Sequence, residues 1–135
     1  MISDMDRVKP NNVKRVLLVE DNEMWQDKFL QLLGHLVGWE VTIATSHAEL
    51  ATQLTAGQFG ALLLDESLWE QKWIYEHQTT IQTQVAGGAR VFSLSSSSEA
   101  ALEMAKAFGT KVSVAWSKRN VGSASSTDLL AAIEG

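Results

Sequence analysis

Cysteine is absent from this 135-residue chain, and proline and tyrosine occur once each. Without cysteine there are no disulfides and no thiolate metal sites, a composition that suits a reducing cytoplasm. Basic residues are in deficit, 11 Lys and Arg against 16 Asp and Glu, for a net charge of −5. Nucleic-acid surfaces need clustered Lys and Arg, so no nucleic-acid partner is expected. No apolar run approaches the roughly 18 residues of a membrane helix, and no membrane partner is expected either. Met1 to Asn12 is polar and lacks the apolar stretch of a signal peptide. Residues 1–13 therefore read as a loosely attached tail and 14–135 as one domain of ordinary size. Nothing after the last helical segment reads as an effector domain. The 45% of hydrophobic residues suffices for a core without covalent staples.

What is present is an alternation of short apolar runs and amphipathic stretches. Val16 to Val19 is the first run. Trp25, Phe29, Leu32, Leu33 and Leu36 then form one helical stripe closed by Gly38. Trp39 to Ala44 is a β-branched strand candidate. Ser46 with Glu49 has the capping-box pattern ahead of Leu50 and Leu54, and Gly57 ends that helix. Ala61 to Leu64 delivers Asp65 at its end. Leu68 to Val85 reads as a third helix stopped by Gly87-Gly88. Arg90 to Leu94 is a fourth strand, and Ser96 with Glu99 a second capping box ahead of a helix that runs to Gly109. Lys111 to Trp116 is a fifth strand and Thr127 to Ile133 a fifth helix. The serines of 95–98 and 123–126 precede helices and read as N-caps. Five strands alternating with five helices predict an α/β fold with a parallel sheet covered on both faces.

In such sheets the ligand lies beyond the carboxyl ends of the strands. The residues there are Glu20-Asp21 after strand one, Asp65 after strand three, Ser95-Ser96 after strand four and Trp116-Ser117-Lys118 after strand five. Converging carboxylates repel unless a cation joins them. Oxygen ligands without His or Cys suit a hard ion such as Mg²⁺. A carboxylate can also act as a nucleophile and form an aspartyl phosphate, with cations and donors around the transferring oxygens.

These residues resemble the response-regulator receiver family. Val16-Leu-Leu-Val-Glu-Asp-Asn22 is similar to its first strand and acidic pair, and Leu62-Leu-Leu-Asp65 to its phosphoacceptor strand. Val91-Phe-Ser-Leu-Ser-Ser96 is similar to its fourth strand, with Ser95 at the family's hydroxyl position, and Lys118 matches its lysine. The likeness runs from about Lys14 to Glu134. It implies a flavodoxin-like (βα)5 fold with strand order 2-1-3-4-5, here as a stand-alone domain. It implies that Asp65 accepts a phosphoryl group from a histidine kinase or phosphotransfer protein. Glu20, Asp21, Asp65 and the backbone carbonyl of Ser67 would hold Mg²⁺, Lys118 would bind a phosphoryl oxygen, and Ser95 would report the phosphate. Ser67 and Ser97 stand where the family tunes dephosphorylation. Such a domain is a signalling module, with at most self-catalysed phosphotransfer and dephosphorylation. It acts by protein contact through a fourth-helix, fifth-strand and fifth-helix face that also serves homodimers.

Three departures stand beside the likeness. Arg119 replaces the proline after the lysine, where a cis bond without proline costs about 3 kcal/mol or more. Ala115 occupies the aromatic switch position, and Glu66-Ser67-Leu68-Trp69 replaces the usual Met-Pro. They motivate an alternative, a phosphorylation-independent pseudo-receiver that serves as a docking domain. A flavin site is disfavoured because Glu20-Asp21-Asn22-Glu23 would repel a phosphate. Gly87-Gly88 lacks the Lys-Ser/Thr of a P-loop. His35, His47 and His77 have no ligand spacing and read as surface or half-buried side chains. Trp25 belongs to the first helix stripe and reads as core. Trp69 and Trp73, four residues apart, share a helix face that packs on the sheet or meets a partner.

Overall fold

The computed structural model describes residues 13–65, 74–94, 98–110, 112–114 and 125–134. Its elements, in chain order, are β1 (Arg15–Val19), α1 (Glu23–Leu33), β2 (Glu40–Ala44), α2 (His47–Ala56) and β3 (Ala61–Asp65). A 3-10 turn (Tyr75–His77) leads into α3 (Gln78–Ala86), followed by β4 (Arg90–Leu94), α4 (Ser98–Phe108), β5 (Val112–Val114) and α5 (Ser125–Glu134). The five strands pair in parallel, as the alternation of runs predicts, and in the order β2-β1-β3-β4-β5 that the resemblance implies.

Why the strands are apolar throughout follows from the layers. Side chains alternate across a pleated strand, and here both faces are covered. Leu17, Val19, Leu62, Leu64 and Val91 pack with Leu50 and Leu54 of α2, Ile81 of α3, and Met104 and Phe108 of α4. Val16, Leu18, Leu63, Phe92 and Leu94 face the other way, onto Phe29 and Leu33 of α1 and Ile133 of α5. No helix among the described residues is long and apolar enough to cross a membrane.

Local chemistry sets the helix ends. Asn22 caps α1, its side chain accepting from the Trp25 backbone N–H at 3.2 Å. The apolar stripe outlasts the α-helix: α1 ends at Leu33, and tighter bonds from His35 N–H to the Leu32 carbonyl and from Leu36 N–H to the Leu33 carbonyl carry the chain on. That turn keeps Leu36 in the core, and Gly38 completes it at φ +83°, a conformation that glycine adopts freely. At α2 the capping box is displaced by one residue. Ser46 Oγ accepts from Glu49 N–H, but the Glu49 carboxylate accepts from the Thr45 hydroxyl at 2.5 Å and the Thr45 N–H at 2.7 Å. Those two bonds, the hydroxyl's first, hold the Glu49 carboxyl below its ordinary range.

The expected helix Leu68 to Val85 is different in its described part. His77 N–H reaches the Ile74 carbonyl at 3.0 Å, an i to i+3 bond that winds the chain too tightly for an α-helix. The α-helix proper starts only at Gln78. An apolar pattern matches both windings, since i+3 and i+4 residues share a face. Trp69 and Trp73 lie outside the described residues, as do residues 1–12 of the expected tail and the Ser96 cap. Ser125 and Ser126, expected ahead of the last helix, lie within its first turn.

Two close approaches hold the sheet's lower edge. Gly60 N–H donates to the Arg15 carbonyl at 2.8 Å, and its carbonyl accepts from Arg90 N–H at 3.0 Å. A Cβ at Gly60 would collide with the Val13 carbonyl oxygen, a backbone atom. Gly60→Ala is therefore expected to cost about 2–3 kcal/mol by forcing β1 and β3 apart. A urea melt checks this, and a cost below 0.5 kcal/mol would show that Val13 yields freely. The second approach is a polar clamp. Gln84 of α3 is buried. Its carboxamide oxygen accepts from Phe59 N–H at 2.8 Å, and its NH₂ donates to the carbonyls of Leu54 at 2.9 Å and Gly57 at 2.7 Å.

Candidate functional site

The topology reverses direction at β1, which pairs with β2 on one side and β3 on the other. Such a switch point opens a crevice at the carboxyl edge of the sheet. The β1–β3 register ends at Val19↔Leu64, so Glu20 and Asp65 follow side by side. Glu20 and Asp65 are buried, whereas Asp21 is exposed. One carboxylate oxygen from each of Glu20, Asp21 and Asp65 lies within 4.8 Å of the other two.

The acidic loop is held by its own backbone. Glu20 N–H donates to the Ala44 carbonyl at 3.3 Å. Its carboxylate Oε2 accepts from Asn22 N–H at 3.2 Å, and its carbonyl accepts from the Gln26 side chain at 2.8 Å. Asn22 thus orients Glu20 through its N–H and starts α1 through its side chain. Neither Asn22 nor Gln26 was singled out as a site residue by the strand-end argument. An Asn just ahead of an apolar stripe is nevertheless a sequence signal for a cap.

Three carboxylates this close, two of them out of water, repel strongly. A cation removes that cost, and an all-oxygen donor set suits Mg²⁺ better than a softer metal. The donor chemistry therefore fits the ion that the sequence implies. Asp65 pairs with Leu94 across β3 and β4, which brings the chain position just before Ser95 beside it. Ser67, Ser95, Ser97, Ala115, Trp116, Lys118 and Arg119 lie outside the described residues. The structure thus brings together three of the expected site residues.

The three histidines are exposed or half-buried, as expected, but two of them meet. His35 is exposed and apart, but His47 and His77, thirty residues distant in sequence, meet with Nδ1 of His47 3.2 Å from Nε2 of His77. Burial, and next the neighbouring His47, hold the His77 imidazolium below its ordinary range, while Glu76 opposes the shift.

No family model matches the sequence, and no curated protein does. Solved structures do match. A CheY-like response regulator receiver domain protein from Methanospirillum hungatei JF-1 is similar at 21% identity and TM-score 0.65, over 90% of this chain and 91% of that one. The chemotaxis protein CheY4 of Vibrio cholerae is similar at 18% identity and TM-score 0.65, over 90% and 97%. A response regulator protein from Burkholderia pseudomallei, solved with a phosphorylated aspartic acid, a calcium ion and citrate, is similar at 18% identity and TM-score 0.58, over 88% and 72%. The fold is that of CheY-like receiver domains across about nine-tenths of the chain.

Proposed function

We propose that this chain is a two-component response-regulator receiver that accepts a phosphoryl group on Asp65 and signals by protein contact. The observation that carries the reading is the acidic triad: Glu20, Asp21 and Asp65 oxygens within 4.8 Å, on the carboxyl edge of a receiver-type sheet. A protein of similar fold holds a phosphorylated aspartic acid and a calcium ion, which supports a phosphoacceptor and a hard cation on such a fold. The retained triad favours this reading over a pseudo-receiver.

An Asp65 carboxylate oxygen attacks the phosphorus of a phosphohistidine on a kinase or phosphotransfer protein. The new O–P bond forms as the P–N bond breaks, and the departing imidazole takes up a proton. Glu20, Asp21, Asp65 and the Ser67 backbone carbonyl would hold Mg²⁺, which supplies positive charge to the transferring oxygens. Asn22 N–H fixes the Glu20 carboxylate so that it need not reorganise during transfer. Lys118 supplies a second positive charge, and the Ser95 hydroxyl a donor to the phosphoryl group.

The test is a titration of Mg²⁺ and then beryllofluoride, followed by tryptophan fluorescence and by NMR. Trp25 is half-buried, packs against Phe29 with ring centroids 6.5 Å apart, and lies in the first turn after the acidic loop. A saturable Mg²⁺ response, then a beryllofluoride change that Asp65→Asn loses, is expected. Silence to both additions by both probes would overturn the proposal.

A further inference from the structure

We propose that His47 and His77 form a second cation site, for a borderline divalent metal of the Zn²⁺ class, separate from the acidic triad. His47 Nδ1 and His77 Nε2 are 3.2 Å apart. Two imidazoles bound to one tetrahedral ion at about 2.0–2.1 Å hold their nitrogens about 3.3–3.4 Å apart. The rings are inclined by 46° with centroids 5.1 Å apart, so they do not stack face to face. The same spacing serves a neutral imidazole–imidazole hydrogen bond. A metal takes the place of the shared proton, which moves to His77 Nδ1, so both rings stay neutral and no net proton is released.

The surroundings add a second feature of a metal site. A ligating histidine usually turns its other nitrogen to a carboxylate, which sets the tautomer and raises basicity. His47 Nε2 lies 4.0 Å from Glu76 Oε1, while its Nδ1 is the nitrogen turned to His77.

Neither histidine hangs from a loose loop. His47 is the first residue of α2, directly after the Ser46 cap. His77 closes the 3-10 turn through its bond to Ile74, itself fully buried in the core. The pair is therefore presented by two anchored backbones. The His47 side chain is 40% exposed and that of Glu76 64%, so water or a donor from another molecule can reach the pair. Imidazole ligands suit Zn²⁺, Cu²⁺ and Ni²⁺, whereas the all-carboxylate triad suits Mg²⁺, so one chain offers two sites of opposite preference. The proposal does not rest on the phosphoacceptor reading.

The probe is Zn²⁺, added to chelator-stripped protein in excess Mg²⁺ and followed by calorimetry and by NMR of the histidine rings. One equivalent is expected to bind, shifting the His47 and His77 ring signals together and leaving those of His35 in place. His47→Gln and His77→Gln are each expected to weaken binding by about tenfold or more, and Glu76→Gln by less. Failure of Zn²⁺ to bind, binding that leaves either ring unmoved, or undiminished affinity in the His47→Gln/His77→Gln double variant would overturn the proposal. The ring signals are read on the unaltered protein, so the test stands even if a variant folds poorly.

Discussion

Gln84→Leu is expected to lower the unfolding free energy by about 3–5 kcal/mol, with the urea m-value unchanged. Leucine roughly preserves volume, so the loss is not that of a cavity. What changes is hydrogen bonding. Leu54 lies in the last turn of α2, where carbonyls have no intrahelical partner, and Gly57 follows the helix end. The Gln84 NH₂ satisfies both carbonyls while its oxygen takes the Phe59 N–H. The carboxamide of α3 is thus the C-terminal cap of α2. Removing it strands one buried donor and two acceptors, at about 1–3 kcal/mol each where water cannot enter. Gln58 returns the contact by donating to the Gln84 carbonyl at 2.8 Å. A Cβ at Gly87 would collide with the Gln58 carboxamide, so the neighbouring glycine belongs to the same device. A measured loss below about 1 kcal/mol would mean that water replaces the amide.

Asp65→Asn is expected to stabilise the protein in chelator and to remove the stabilisation that Mg²⁺ gives the unaltered chain. Two unit charges at the 4.8 Å that bounds these oxygens would repel by about 3 kcal/mol at an effective dielectric of about 20. Exposure of Asp21 and salt screening reduce that, leaving an expected gain of about 1–2 kcal/mol, or several degrees in Tm. Mg²⁺ at about a hundred times its Kd would add about 2.7 kcal/mol to the unaltered protein and far less to the variant, reversing their order. Differential scanning calorimetry with and without Mg²⁺ measures both arms. Destabilisation in both conditions would mean that the carboxylates are not in mutual repulsion, and the triad would then be a poor cation site.

Much of this architecture is legible without coordinates. Val16 to Val19, Ala61 to Leu64 and Arg90 to Leu94 read as strands because a sheet covered on both faces admits apolar side chains at consecutive positions. Glu20, Asp21 and Asp65 read as a site because strand ends at one edge of a parallel sheet must come together. Gly57 and Gly87 read as helix stops, and α2 and α3 end just before them, although neither takes the left-handed conformation, Gly57 lying at φ 176° and Gly87 at φ −82°. These features depend on period, propensity and chain direction, which a linear sequence carries.

Other features depend on which elements become neighbours. The sequence contains Ser46 and Glu49 at capping-box spacing, but the Glu49 carboxylate turns to Thr45 because the loop leaving β2 presents both of that residue's donors to it. Leu68 to Val85 carries one apolar stripe, yet whether Tyr75–His77 winds as 3-10 or α is decided by the fit of Ile74 into the core. Gln84 looks like a surface residue on an amphipathic helix until α3 is laid beside the end of α2. His47 and His77 look unrelated because thirty residues separate them, and only the packing of α2 against the entry to α3 brings their nitrogens to 3.2 Å. Period and composition determined the layers and the acidic edge by themselves. The polar clamp and the histidine pair were decided by tertiary contact, because hydrogen-bond and ligand partners distant in sequence leave no periodic trace in it.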